Sequence, residues 1–292
     1  MRSTSEILKK VRELEIKSKK LARDLFSGEY HSAFKGKGMA FKEVREYAAG
    51  DDIRFIDWNV SARFGHPFSK IFEEERELSV VLLVDISNSS LFGTHYGPKR
   101  DVATEIAAVL AFSAVSNGDK VGAIFYSDQV EMYIAPKKGR QHALYIVREI
   151  LSLEAKGKGT RLNTALKYFT NAIKQSSIAF VLSDFIDANY EDALRVAGKK
   201  HDLIGIKIYD QMDQTLPEAG LMQLLDAETG HAQWVDTSNA YVRKKYEEQC
   251  FQATAYCVNV FKKSGSDLLH IKTGDDHVSV LQRFFRSRIK GK

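Results

Sequence analysis

At 292 residues, 44% of them hydrophobic and 28% charged, the chain is long enough to bury a substantial core and fits one large domain or one domain with an extension. Its 43 basic and 38 acidic residues leave a net charge of +5, too small and too dispersed an excess to argue for nucleic acid. No apolar run approaches the roughly 20 residues of a membrane-spanning helix, and no amino-terminal stretch has the basic start, apolar centre and small-residue cleavage site of a leader, so the expectation is a cytoplasmic protein.

Between Ser5 and about Phe26, Ile7, Val11, Leu14, Leu21 and Leu25 recur at three- and four-residue steps with lysines and glutamates between them. That is the pattern of an amphipathic helix, expected to dock on its own domain. From His31 to Ser79 the period is lost, and glycines, charges and aromatics alternate as in loops and short strands. Phe41, Tyr47, Phe55, Ile56, Trp58 and Phe64 nevertheless supply too much apolar surface for a disordered linker, so residues 1–77 read as an ordered extension. Asp51, Asp52, Arg54, Asp57 and Arg63 surround Trp58 there, and the expectation is a salt-bridge network joining extension to core, with Trp58 as a candidate buried anchor.

From Leu78 onward, apolar runs alternate with helical segments. The strands expected are LSVVLLVD, KVGAIFYS, VEMYIAP, SSIAFVLSD and HDLIGIKIYD, with helices beginning near Pro98, Gly139, Leu162 and Tyr190. Strands apolar on both faces and separated by helices predict an α/β fold with a mainly parallel sheet covered on both sides, and the short SDQ connection predicts an antiparallel edge hairpin. LMQLLDAETGHAQWVD reads as a second hairpin, followed by a helix from Asn239 to about Lys263, the strand DLLHIKT and a closing helix through VLQRFFRSRI. Residues 78–292 are thus expected to form the main domain. Cys250 and Cys257 fall on one helix, about 10 Å apart along its axis and beyond disulfide reach. His66, His95 and His142 show no zinc spacing, and the basic tail RSRIKGK reads as a solvated end.

Chemistry concentrates where the first strand of this domain ends. In an open parallel sheet ligands gather outside the carboxyl ends of the strands, and LSVVLLVDISNSS places Asp85, Ser87 and Ser89 there. Alternate residues after the turn can bring one carboxylate and two hydroxyls to one side, a donor set suited to a hard divalent cation such as Mg²⁺. SSIAFVLSDF repeats the arrangement with Asp184, and KGKGTRLNTAL puts Thr160 just before a helix, where its hydroxyl could cap that helix or face the cation.

Asp-x-Ser-x-Ser at 85–89, Thr160 and Asp184 resemble the metal-ion-dependent adhesion site of von Willebrand factor A domains. The upstream VREYAAGDDIRFIDWNVSAR and FEEERELSVVLLVD are similar to the bacterial family called domain of unknown function fifty-eight, which joins such an extension to such a domain. The resemblance implies Mg²⁺, or Mn²⁺, held by Ser87 and Ser89 directly and by Asp85, Thr160 and Asp184 directly or through water. It implies an open coordination position for an acidic residue of a protein partner, and docking without catalysis. It also implies a MoxR-type AAA+ ATPase as partner. Ser90 departs from the family, which often has methionine there, and could compete with Ser89 as a donor. Many relatives carry membrane-spanning segments, for which this sequence shows no candidate.

Two other readings begin from the same residues. A phosphatase of the haloacid-dehalogenase kind carries a nucleophilic aspartate at a strand end, with Asp184 and Asp187 as its second acidic motif, but it needs an acid two residues beyond the nucleophile, where this chain has Ser87. Alternatively Asp85 and Asp184 cap loops at the edge of a scaffold that uses no metal. A dinucleotide fold is disfavoured because no G-x-G-x-x-G follows Asp85.

Overall fold

Val80 to Val84 form an unbroken apolar run, and such a strand is stable only where both of its faces are covered. A computed structural model, describing residues 6–7, 9–16, 39–74, 78–228 and 230–290, shows how this is done. In chain order the strands are β1 (Met39–Glu46), β2 (Phe68–Glu74), β3 (Ser79–Asp85), β4 (Lys120–Tyr126), β5 (Val130–Lys137), β6 (Ile178–Ser183), β7 (Asp202–Tyr209), β8 (Leu221–Leu225), β9 (Ala232–Asp236) and β10 (Asp267–Lys272). The helices are α1 (Trp58–Phe64), α2 (Lys99–Ser116), α3 (Arg140–Ser152), α4 (Leu162–Ala172), α5 (Glu191–Lys200), α6 (Ala240–Ser264) and α7 (His277–Lys290).

Six strands form the central sheet in the order β10-β7-β6-β3-β4-β5. All neighbours are parallel except β4 and β5, the expected edge hairpin. Because successive side chains point to opposite faces, β3 feeds two separate cores. Val80, Leu82 and Val84 pack with α2, α3, α7 and with Val11 and Leu14 of the helical segment 9–16. Val81 and Leu83 pack with α4, α5 and α6. The α/β class and the mainly parallel sheet expected from the sequence are therefore present. Helix α2 is apolar nearly all round, and its alanines are buried, as required of a helix laid between the sheet and α3.

The amino-terminal helix docks on this domain through Val11 and Leu14, and Arg140 pairs with the buried Glu15. Leu21 and Leu25 lie outside the described residues, as do residues 17–38, 75–77 and 291–292. β1 and β2 form an antiparallel pair of their own. Between them α1, which the sequence pattern did not predict, starts at Asp57, whose carboxylate accepts from the N–H groups of Asn59 and Val60, and stops at Gly65 with φ 74°.

The charged cluster around Trp58 differs from expectation. Asp52 pairs with Arg54 at 2.6 Å, Asp51 with Arg45 at 2.8 Å and Asp57 with Lys70 at 3.3 Å, so these bridges close within the extension. Trp58 is 70% exposed and anchors nothing in the core. The short α1 carries too few apolar positions to turn a face inward, so its indole stays in solvent. β8 and β9 form the second expected hairpin as a separate two-stranded sheet. Cys250 and Cys257 are free thiols on α6. Among the described residues no helix is long and apolar enough to cross a membrane.

Candidate functional site

β3 is central, so its carboxyl end is flanked by the ends of β4 and β6. Asp85 is its last residue, paired in register with Tyr126, and is 3% exposed. Its Oδ1 accepts from the Ser87 N–H at 2.9 Å, closing a tight turn. A short 3-10 helix, Asn88–Leu91, follows and tips Ser89 back over Ser87. The two hydroxyl oxygens lie 3.0 Å apart. The Ser90 hydroxyl donates to the Ser87 carbonyl at 2.6 Å and fixes the turn.

The second carboxylate arrives from β6. Ser183, the last residue of that strand, donates to Asp85 Oδ2 at 2.8 Å and accepts from the Phe185 N–H at 3.0 Å. Phe185 adopts φ 53°, a conformation uncommon for a large side chain, and is held there by edge-on packing against Phe261 at 5.2 Å. The bend turns Asp184 inward, where it is 6% exposed and its Oδ1 accepts from the Ile186 N–H at 3.2 Å.

Thr160 enters from the loop before α4. The two residues after it are tied to both neighbouring strand ends: Arg161 N–H donates to the Ser127 carbonyl at 2.9 Å, and Leu162 N–H donates to Asp187 Oδ2 at 2.7 Å. Gly157 packs closely in this loop: a Cβ there would lie 1.9 Å from Asp128 Oδ1, and that side chain would have to move. Since Asp187 satisfies the first turn of α4, Thr160 is not needed as a cap. Its Oγ1 is buried and has no hydrogen-bond partner. That leaves the hydroxyl with its hydrogen-bonding capacity unused and available to a ligand.

Three residues of the site escaped the sequence reading besides Ser183. Lys99, at the start of α2, places Nζ 2.8 Å from Asp184 Oδ2 and 3.1 Å from Asp213 Oδ2. Lys207 of β7 donates to the Asp184 carbonyl. Burial alone would raise the Asp184 pKa, but the Lys99 ammonium overrides it and holds the carboxyl below its ordinary value. Burial likewise opposes the charge on Lys99, yet Asp184 and Asp213 keep it above the usual lysine range. Lys207 is pushed down, chiefly by burial.

Asp85 fares differently. Its hydrogen-bond donors are neutral, a hydroxyl and a backbone N–H. Burial, and secondly the charge of Asp184, push its pKa up to about 7. The donor set is chemically suited to a hard cation. The Ser87 and Ser89 hydroxyls are hydrogen-bonded to each other at 3.0 Å, a separation that adjacent oxygens around Mg²⁺, each about 2.1 Å from it, could also keep. Among the described residues no group of three His, Cys, Asp or Glu side chains could hold a metal, so any site here depends on hydroxyls.

Residues 43–256 match the family described as "Protein of unknown function DUF58". The chain belongs to the DUF58 family. A relative in Mycobacterium tuberculosis, "Uncharacterized protein Rv1480", is 30% identical over 284 residues, 96% of this chain and 89% of that protein. Among solved structures, this DUF58 chain is similar to BatB from Bacteroides thetaiotaomicron at 13% identity, covering 74% of this chain and all of that one with a TM-score of 0.47. It is also similar to the SpRpn10 VWA domain, at 11% identity over 70% of this chain and 93% of that one, TM-score 0.38. The DUF58 sheet has β3 in its interior and β5 as its one antiparallel edge, a mainly parallel α/β arrangement of the kind expected from the sequence.

Proposed function

We propose that this DUF58 protein is a non-enzymatic, Mg²⁺-dependent protein-interaction module. The observation that carries the reading is Asp85: a buried carboxylate with neutral donors, on the same turn as two hydroxyls 3.0 Å apart. Ser87, Ser89 and Asp85 would hold the cation, with Thr160 and Asp184 completing the set directly or through water. Once bound, the cation would offer a Lewis-acidic position to a carboxylate of the partner. Neutral hydroxyls favour that outcome because they leave much of its charge uncompensated. By family resemblance the partner is a MoxR-type AAA+ ATPase.

A phosphatase centred on Asp85 is less well supported. Ser87 stands where the general acid is needed, and both Asp187 oxygens accept from backbone N–H groups. Calorimetric titration of Mg²⁺ and Mn²⁺ into metal-stripped protein tests the reading. A saturable isotherm is expected for the wild type and none for Asp85→Ala or Ser87→Ala, both remaining cooperatively folded. A flat wild-type isotherm overturns the metal, and Asp85-dependent phosphate release from an aryl phosphate overturns the adapter. Sedimentation with the ATPase in Mg²⁺ and in chelator then tests the partner, which should co-sediment only in Mg²⁺.

A further inference from the structure

Lys99 is out of place by two ordinary criteria. It opens α2, where the positive end of the helix dipole disfavours a cation, and its side chain is 5% exposed. The two carboxylates that compensate it, Asp184 and Asp213, come from different loops and are themselves 4% and 14% exposed. One ammonium therefore has two seats, and one of them is a predicted metal ligand.

The geometry points to Lys99 as a resident ammonium that competes with the divalent cation for Asp184 and yields by giving up Asp184 while keeping Asp213. This rests on the metal reading above. Each oxygen of Asp184 already has a partner, Oδ1 the Ile186 N–H and Oδ2 the Lys99 ammonium, and only Oδ2 faces a charge. A cation, or a water bound to it, can reach Oδ2 only by sharing it with a like charge or by displacing that charge. A divalent cation on Asp184 also brings a like charge beside the Lys99 ammonium, and repulsion falls on that movable cation.

Among the described residues, the two sides of Asp184 differ in the space they offer. The cavity lined by Asp85, Ser90, Lys99, Ser183 and Asp184 is about 10 Å³, room for a single water. Beyond Asp184, a cavity of about 250 Å³ is lined by Lys207, Asp213, Tyr246 and Cys250. The flexible four-carbon stem of a lysine can swing its head toward that side, which a guanidinium clamped on two oxygens cannot do as freely. Lys99 thus sets metal affinity and holds the metal-free site together.

The test is titration of Mg²⁺ into metal-stripped wild type, Lys99→Met and Asp213→Asn, with thermal melts of each with and without metal. Lys99→Met should bind at least ten-fold more tightly, and its melting temperature should become strongly metal-dependent. Asp213→Asn, which removes the second seat and leaves the ammonium on Asp184, should bind at least several-fold more weakly; it also serves if Lys99→Met fails to fold without metal. Equal or weaker binding by a folded Lys99→Met, or unchanged binding by Asp213→Asn, overturns the competition while leaving the metal site standing. Absence of binding in the wild type and both variants overturns the metal reading and this inference with it.

Discussion

Ser183 shows how a single hydroxyl can support a carboxylate that has no cation. It donates to Asp85 while accepting from the Phe185 N–H, so it joins the ends of β3 and β6 and fixes the bend that aims Asp184. Ser183→Ala leaves a buried acceptor short of a donor and should cost about 1–3 kcal/mol, read from the urea midpoint at constant slope. An unchanged midpoint would mean that Asp85 finds another donor. Asp85 and Asp184 were legible from the sequence because each ends an apolar run, where a charge demands explanation. Ser183 was not, since a serine before an aspartate carries no such anomaly. Lys99 and Lys207 did carry one, a cation at a helix start and a lysine inside the apolar IGIKIY, but what each contacts depends on pairing across the fold.

At the scale of elements, the strands of the main sheet were readable because they are apolar on both faces and bounded by turn residues. α1 was not, because seven residues with an exposed tryptophan give no helical period, and the capping by Asp57 is all that announces it. Trp58→Ala should therefore change stability by no more than about 0.5 kcal/mol, and a large loss in a denaturant titration would place the indole in an interface. β7 and α6 meet more closely. A Cβ on Gly205 would lie 2.5 Å from the Phe261 ring, so Gly205→Ala should destabilise by about 1–3 kcal/mol through overpacking, measured by the same titration. Where α5 ends, His201 is 3% exposed, lies 4.3 Å from the Phe169 ring and shares a hydrogen bond with Ser177. Burial, then Lys200, lower its pKa from 6.5 to about 4. The unfolded chain thus binds this proton below pH 6.5 and the folded one only near pH 4, so stability should fall as pH drops through that window. His201→Gln should flatten that part of the stability profile, and an equal slope in the variant would assign the proton elsewhere.

The whole molecule places its site on residues far apart in sequence. Asp85 and Ser183 are hydrogen-bonded across 98 residues, and Lys99 meets Asp184 across 85. A chain ended at residue 176 lacks β6, leaves one edge of β3 unpaired and should be insoluble; a monodisperse soluble product would show that β3, β4 and β5 suffice as a folding unit. The central position of β3 has a consequence during biosynthesis. At the usual pace of translation, about 5–20 s separates the emergence of Asp85 from that of Ser183. Throughout that interval VVLLV is a hydrophobic segment without its second neighbour, the kind of stretch that associates with copies of itself. Asp85, still hydrated and charged, stands at its end as a gatekeeper against that association. The same carboxylate thus guards the nascent chain before it becomes a buried group of the finished one.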